Sequence, residues 1–340
     1  MVTGPLLFRC DAGVEMGIGH IMRSLALAQA WQDQRGKVAF LCADFLPILR
    51  DRFDAEQIPI HPIQTKSGSP EDATETVRLF LAQKAGFLVV DGYQFRDEFL
   101  HTLACEAIPF LIIDDCGRNG LLPSRFVLNQ NIHARADMYP SLGRNTRLLL
   151  GTEFALLRRE FRNTPRGPHP IPDTASKVLV VAGGTDPRGL TAKILEAMES
   201  IEDDVFEVRV IGPHAVENER VGHHPIAAFD HVGNLSEHLR WADLVVSAAG
   251  STVWETLFLG VPAILVSIAA NQEPTAQALA AQRVVRFLGS VDHVGPKHLA
   301  AEIHSLAHDS RSRRRMSEAG PRIVDGKGAE RVCAAIGGST

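Results

Sequence analysis

Cysteine is sparse and unpatterned in this chain. The five residues, Cys10, Cys42, Cys105, Cys116 and Cys333, form no C-x-x-C pair, so neither a disulfide framework nor a cysteine zinc site is expected. Positive charge is not in excess either, because 35 Lys and Arg stand against 40 Asp and Glu for a net −5 at pH 7. A protein that neutralises a phosphate backbone needs a basic surplus, and nucleic acid is therefore not an expected partner. The one basic cluster, "RSRRR" at 311–315, reads as a solvated helix face. Long apolar runs are missing too. The longest nearly uncharged one, "GVPAILVSIAA" at 260–270, falls well short of the ~18 residues that suggest a membrane-spanning helix. It reads as a buried strand, and no membrane insertion is expected. The opening "MVTGPLLFRCD" has no basic segment and only a short apolar stretch before Arg9 and Asp11, unlike a secretory leader, so the expected location is the cytoplasm.

What is present is ordinary globular composition, 45% hydrophobic and 22% charged, over 340 residues. That length suits two domains of roughly 150 residues each. Short apolar runs alternate with helical patterns, the signature of α/β architecture with parallel sheets. Strands are expected at 5–10, 37–43, 58–63, 87–91, 109–114 and 125–130 in the first half. The second half starts afresh with strands at 177–184, 206–212, 243–250 and 262–268. Between the halves, "NTPRGPHPIPDTAS" at 163–176 holds four prolines and reads as a linker. The expected organisation is thus a Rossmann-like domain at 1–162, the linker at 163–176 and a second Rossmann-like domain at 177–340, with the last helix free to pack back on the first domain. Ligands of such chains bind outside the carboxyl ends of the strands, here expected in a central cleft.

Three strand-to-helix junctions combine glycine with a hydroxyl or imidazole side chain: "GIGH" at 17–20, "AGGTDPRG" at 182–189 and "AAGSTVWE" at 248–255. Glycine lets backbone N–H groups approach a ligand, and the following helix adds unpaired donors and partial positive charge, so each junction is a candidate phosphate site. None ends in G-K-[ST] and none is G-x-G-x-x-G with an acidic residue about 20 positions on. ATP hydrolysis and NAD binding are thereby disfavoured. Each junction also admits a purely structural reading. Asp186 before Pro187 would make a helix cap, and Thr252 with Glu255 would make a capping box. His20 stands apart. A histidine in the first turn of a helix is disfavoured in its charged form, and a neutral imidazole can accept a proton. The adjacent carboxyls Asp114 and Asp115, at a strand end, read as a turn cap or loop anchor rather than a glycosidase pair.

The motifs "RCDAGVEMGIGHIMRSLALA", "VVDGYQF" (89–95), "IIDDC" (112–116), "LLLGTEFALLRREF" (148–161), "AGGTDPRGLT", "ADLVVSAAGSTVWETLFLGVPAILV" and "AANQ" (269–272) together resemble the PseG/SpsG family, and more distantly the MurG branch of GT-B glycosyltransferases. The resemblance implies a GT-B-like fold of two Rossmann-like domains. It implies metal-independent hydrolysis of a UDP-linked diacetamido-trideoxy sugar, by C1–O cleavage with inversion and release of UDP, in nonulosonic or pseudaminic acid biosynthesis. It also implies site residues. His20 would be catalytic, activating the attacking water. Gly17, Gly19, Tyr93, Asn271 and Gln272 would contact the sugar and diphosphate. Gly183, Gly184, Gly250, Ser251 and Thr252 would hold UDP, with Glu255 on the ribose and Val232, next to His231, near the base. No cofactor and no metal are implied.

One departure from the family pattern concerns phosphate binding. The usual A-G-G-S-T reads Ala248, Ala249, Gly250, Ser251, Thr252, so a Cβ stands where backbone and phosphate could come close. The alternative function is a GT-B glycosyltransferase using a UDP-sugar in surface or spore-coat polysaccharide synthesis. A third reading, a nucleotide-sugar binding protein without turnover, sits poorly with the retention of His20, Glu255 and Gln272. Oriented backbone donors stabilise the diphosphate leaving group without lysine or magnesium, and a base is needed near the anomeric carbon. The oligomeric state is left open, and a monomer is compatible with the sequence.

Overall fold

The computed structural model describes residues 4–165, 169–212 and 220–338; residues 166–168 of the expected linker lie outside the described residues. The chain divides into two compact units. One comprises Met1–Arg159 and Gly326–Thr340, the other Glu160–Asp325. The division therefore falls at Arg159/Glu160 rather than after 162, and the chain returns to the first unit at Gly326.

The first unit is built on a seven-stranded sheet of β1 (Leu6–Cys10), β2 (Val38–Cys42), β3 (Ile60–Pro62), β4 (Phe87–Asp91), β5 (Phe110–Ile113), β6 (Phe126–Asn129) and β7 (Arg147–Leu150), in the order β3-β2-β1-β4-β5-β6-β7. Every pairing is parallel. Strands β1, β2, β4, β5 and β6 are buried along their whole length, which is why they read as continuous apolar runs rather than alternating ones. Two apolar clusters cover the two faces of the sheet. The strand order reverses between β1 and β4, and the crevice outside their carboxyl ends is where such sheets bind ligands. The terminal helix, Gly328–Gly337, packs on the helix Gly19–Asp33. It starts at a glycine because any Cβ on Gly328 would stand 2.3 Å from the Ala155 carbonyl oxygen.

The second unit repeats the plan with β8 (Lys177–Val181), β9 (Glu207–Ile211), β10 (Arg220–Val221), β11 (His224–Phe229), β12 (Leu244–Ala248), β13 (Ala263–Ser267) and β14 (Arg286–Ser290), ordered β10-β11-β9-β8-β12-β13-β14. Only β10 pairs antiparallel, with β11; the remaining pairings are parallel. Here the order reverses between β8 and β12, whose carboxyl ends lead into the second and third glycine junctions. Fold class and the expected strands are borne out, with bounds trimmed by a residue or a few.

Four strands escape a reading from apolar runs. β7 and β14 are partly exposed, β10 is two residues long, and β11 mixes histidine, proline and alanine. One reading is corrected within the basic cluster. Arg311, Arg314 and Arg315 are exposed, but Arg313 is fully buried. Its guanidinium donates to the carbonyls of Leu306, Ala307 and Asp173, satisfying the end of the helix Pro296–His308, where a cation is favoured. No helix among the described residues is long and apolar enough to cross a membrane.

Candidate functional site

In the first unit the chain leaves β1, makes a tight loop in which the Gly17 N–H donates to the Gly13 carbonyl at 2.8 Å, and enters the helix at Gly19. Gly17 has φ +77, a left-handed conformation that only glycine adopts freely. The helix then presents His20, Arg23 and Ser24 on one face, since residues three and four apart lie one above the other. All three reach the same carboxylate, Asp91, at the end of β4. His20 Nδ1 lies 2.8 Å from Asp91 Oδ1. Arg23 donates from Nη2 to Oδ1 at 2.7 Å and from Nε to Oδ2 at 2.8 Å, and Ser24 Oγ donates to Oδ2 at 3.1 Å.

This geometry fixes the histidine tautomer. Arg23 Nη2 also lies 3.1 Å from His20 Nδ1, but guanidinium nitrogens only donate, and a bare Nδ1 lone pair would face a carboxylate oxygen at 2.8 Å. The proton therefore sits on Nδ1 and is donated to Asp91, so that in the neutral ring Nε2 is the acceptor. A carboxylate behind an imidazole orients the ring and stabilises the cation formed when Nε2 takes a proton.

Arg23 is shared with a second carboxylate. Its Nη1 stands 2.9 and 2.8 Å from the two oxygens of Asp115. Asp115 also accepts from the Tyr93 hydroxyl at 2.7 Å and from Asn131 Nδ2 at 2.9 Å. His20, Arg23, Asp91, Asp115 and Asn131 are all buried. Burial is the largest single influence and would raise the Asp91 and Asp115 carboxyls, but the Arg23 charge, the nearby His20 and the hydrogen bonds each carboxylate accepts together outweigh it, and both are held below the usual carboxylate range. Burial and the neighbouring Asp115 charge push the Tyr93 phenol up. Its ring stacks edge-on against His20, with centroids 4.7 Å apart. The residue is 44% exposed, with its hydroxyl end on Asp115.

Asp115 is thus not a loop anchor. Asp114 is one, binding the Gly117 N–H, the Arg118 guanidinium and the Tyr139 hydroxyl.

In the second unit the expected UDP and sugar-diphosphate residues outside the helix Thr252–Leu259 follow the carboxyl ends of strands, with Asn271 and Gln272 in the short helix Ala270–Gln272. Gly183 and Gly184 follow β8, Val232 follows β11, Gly250 and Ser251 follow β12, and Asn271 and Gln272 follow β13. Gly183 has φ +98, with open space where a Cβ would point. Gln272 Oε1 accepts from the Ile268 N–H at 2.9 Å, which turns its Nε2 toward Gly250; a Cβ there would lie 3.7 Å from that nitrogen. Thr252 and Glu255 both belong to the helix Thr252–Leu259, and Glu255 is buried.

Two capping expectations are corrected. Thr252 is the first helical residue, and Ser251, at the cap position, makes no side-chain cap bond, so no capping box forms there. Asp186 does not precede the helix directly. The helix starts at Leu190, and the Asp186 carboxylate reaches forward to the Leu190 and Thr191 N–H groups, both at 2.8 Å. Ala249 is buried, and its N–H donates to the Val266 carbonyl at 3.0 Å. The methyl that replaces the usual glycine hydrogen is therefore on a buried residue whose backbone donor is already used.

The sequence reading missed Arg23, Ser24, Asp91, Asp115 and Asn131. The signal for the first three was present in "HIMRS", where the spacing H-x-x-R-S aligns the polar groups on an otherwise apolar helix facing a strand that ends in Asp.

Residues 178–329 match the glycosyltransferase family 28 C-terminal domain. The chain is 23% identical over 335 residues to the spore coat polysaccharide biosynthesis protein SpsG of Bacillus subtilis, covering 96% of both. It is 26% identical over 282 residues to the UDP-2,4-diacetamido-2,4,6-trideoxy-beta-L-altropyranose hydrolase of Campylobacter jejuni, covering 81% of this chain and 96% of that protein. In three dimensions it is similar to the MurG of Acinetobacter baumannii, with a TM-score of 0.69, 18% identity, and coverage of 98% of this chain and 99% of the other. The fold is the α/β GT-B fold.

Proposed function

We propose that the chain is a UDP-sugar hydrolase that releases UDP and a free diacetamido-trideoxy sugar for nonulosonic acid synthesis. The observation that carries this reading is the His20–Asp91 pair at the strand-order reversal of the first sheet. The similarity to the Campylobacter jejuni hydrolase over most of both chains supports the substrate class.

In the proposed reaction a water oxygen bonds to the anomeric carbon as the bond from that carbon to the β-phosphate oxygen breaks. The electron pair leaves with UDP, and the water proton passes to His20 Nε2. Asp91 holds the ring and offsets the imidazolium charge; Arg23 keeps Asp91 ionised and fixed. Tyr93 offers an aromatic face to the sugar, with Gly17 and Gly19 allowing the adjacent loop to approach. UDP is held by the backbone donors of Gly183, Gly184, Gly250, Ser251 and Thr252, with Glu255 on the ribose, Val232 beside the base and Asn271 and Gln272 on the sugar diphosphate. A diphosphate leaves as a stabilised anion, so a second carboxyl acting as general acid is not required.

The test is turnover of UDP-2,4-diacetamido-2,4,6-trideoxy-β-L-altropyranose with no acceptor and with EDTA present. Wild type should release UDP. His20→Ala should not, while keeping UDP affinity within about threefold, because the proton acceptor and not the diphosphate contacts is lost. Release that requires a sugar acceptor would favour a transferase instead, and a His20→Ala variant that turns over normally would overturn the assigned role.

A further inference from the structure

A second cluster of ligating side chains lies in the second unit, at the opposite edge of the sheet from the glycine loops. His304 and His308 occupy positions i and i+4 near the end of the helix Pro296–His308, so both rings project from one face. Asp204 lies in the segment just before β9. The Ala175 N–H, two residues before β8, donates to the Ala307 carbonyl, which sets the end of this helix at the amino ends of the strands.

The three donor groups converge. Asp204 Oδ2 is 3.4 Å from His304 Nε2 and 2.9 Å from His308 Nε2, and Asp204 Oδ1 is 3.1 Å from His308 Nε2. One ligand atom from each residue lies within 4.8 Å of the other two. Tetrahedral bonds of about 2.0–2.1 Å set donor atoms roughly 3.3 Å apart, so small rotations of half-exposed side chains would close this set on an ion.

The backbone around Asp204 is also held in place. His223 Nε2 lies 2.6 Å from the Asp204 carbonyl oxygen. The neighbouring His224 donates from Nε2 to the Met198 carbonyl at 2.7 Å and accepts at Nδ1 from the Phe206 N–H at 3.1 Å. The segment bearing Asp204 is thus pinned at its start, middle and end by two histidines of the β10–β11 hairpin. An exposed His–Asp ion pair contributes little to stability and needs one imidazole; it does not account for two histidines a helical turn apart aiming the same ring nitrogen at one carboxylate.

We propose that Asp204, His304 and His308 bind one divalent transition-metal ion of the zinc type, tying the end of the helix Pro296–His308 to the segment before β9. Two imidazoles and a carboxylate suit zinc, cobalt or nickel rather than magnesium or calcium, which prefer all-oxygen sets. Histidines at i and i+4 on a helix face are an established way to present two ligands to zinc. Three protein ligands leave a position for water. The ion acts on structure and stands apart from the glycine loops, so turnover in EDTA and metal binding here are independent results.

The experiment uses the full chain, stripped with EDTA, dialysed and titrated with zinc chloride by calorimetry. One ion per chain should bind with a Kd on the order of 10 μM. His304→Gln and His308→Gln should each weaken binding by about tenfold or more with unchanged circular dichroism, whereas His298→Gln, on the same helix outside the cluster, should bind as wild type does. No one-to-one binding tighter than about 100 μM, or equal binding in the His304 and His308 variants, overturns the proposal. Should those variants fold poorly, wild type answers by itself. Zinc should protect His304 and His308 from diethyl pyrocarbonate while leaving His298 reactive, and equal modification of all three with and without zinc overturns it.

Discussion

His20 Nδ1 and Asp91 Oδ1 stand 2.8 Å apart, joining the first turn of the helix that follows β1 to the last residue of β4. That contact puts a ring acceptor, Nε2, at the point where the strand order of the sheet reverses. Arg23 and Ser24, one turn further along the helix, occupy the other acceptor sites of the same carboxylate.

Asp91→Asn should reduce kcat by about a thousandfold while changing KM by only a few fold, because an amide orients the ring poorly and cannot offset an imidazolium charge. The variant also leaves the buried Arg23 with one carboxylate fewer, and loss of such a partner costs about 3–5 kcal/mol. Steady-state kinetics on material shown to be folded separates the two effects. A kcat near that of wild type would remove Asp91 from the reaction.

Tyr93→Phe deletes the hydroxyl bonded to Asp115 and keeps the ring against His20. Since burial and the Asp115 charge raise the phenol above its ordinary value, Tyr93 stays protonated throughout roughly pH 6 to 9. The pH profile of kcat/KM should therefore keep its shape, and kcat/KM should fall by about three- to thirtyfold through lost positioning. A basic limb that disappears in the variant would instead make Tyr93 a titrating participant.

Acid should loosen this network first. Asp91 and Asp115 have folded pKa values depressed below the ordinary carboxylate range, against burial and through Arg23. The stability they contribute is present in full above the unfolded value of about 3.9 and drains as pH falls toward the folded values. The stability of wild type measured by urea unfolding should fall as pH drops below about 4. Asp115→Asn, less stable at neutral pH, should show a shallower decline. Equal slopes would mean that Asp115 titrates alike folded and unfolded.

Gly183→Ala forces a methyl group onto a residue at φ +98, which costs about 1–3 kcal/mol of backbone strain. Because the space beside Gly183 is open, the penalty comes from conformation rather than from a clash within the protein. UDP affinity should fall at least as steeply as stability if this loop carries the diphosphate, and unchanged UDP affinity would remove the loop from the binding site.

Much of this was legible in the sequence, for identifiable reasons. Fully buried parallel strands such as Phe87–Asp91 and Leu244–Ala248 announce themselves as apolar runs, and glycines at positive φ, such as Gly17 and Gly183, mark the loops that follow such strands. Partly exposed β14 and the mixed β11 carry no such signature, since their place in the sheet is set by pairing rather than by their own pattern. The charged side of the site was hidden for a different reason. Arg23 sits within "IMRSLALAQAW", and nothing local says that its guanidinium is neutralised by carboxylates 68 and 92 residues away. Asp115 and Asp114 are adjacent and alike in sequence, yet only the fold sends one to Arg23 and the other to a loop.

The measurement that tests the central claim most directly is a single turnover in water enriched in 18O, with the oxygen of the released UDP weighed by mass spectrometry. The free sugar can exchange its anomeric hydroxyl with solvent, but the β-phosphate of UDP cannot do so on that timescale, so UDP is the product that decides. Attack of a His20-activated water at the anomeric carbon predicts UDP free of solvent label, released without any acceptor. Label in the UDP phosphate would place the attack on phosphorus and contradict the account.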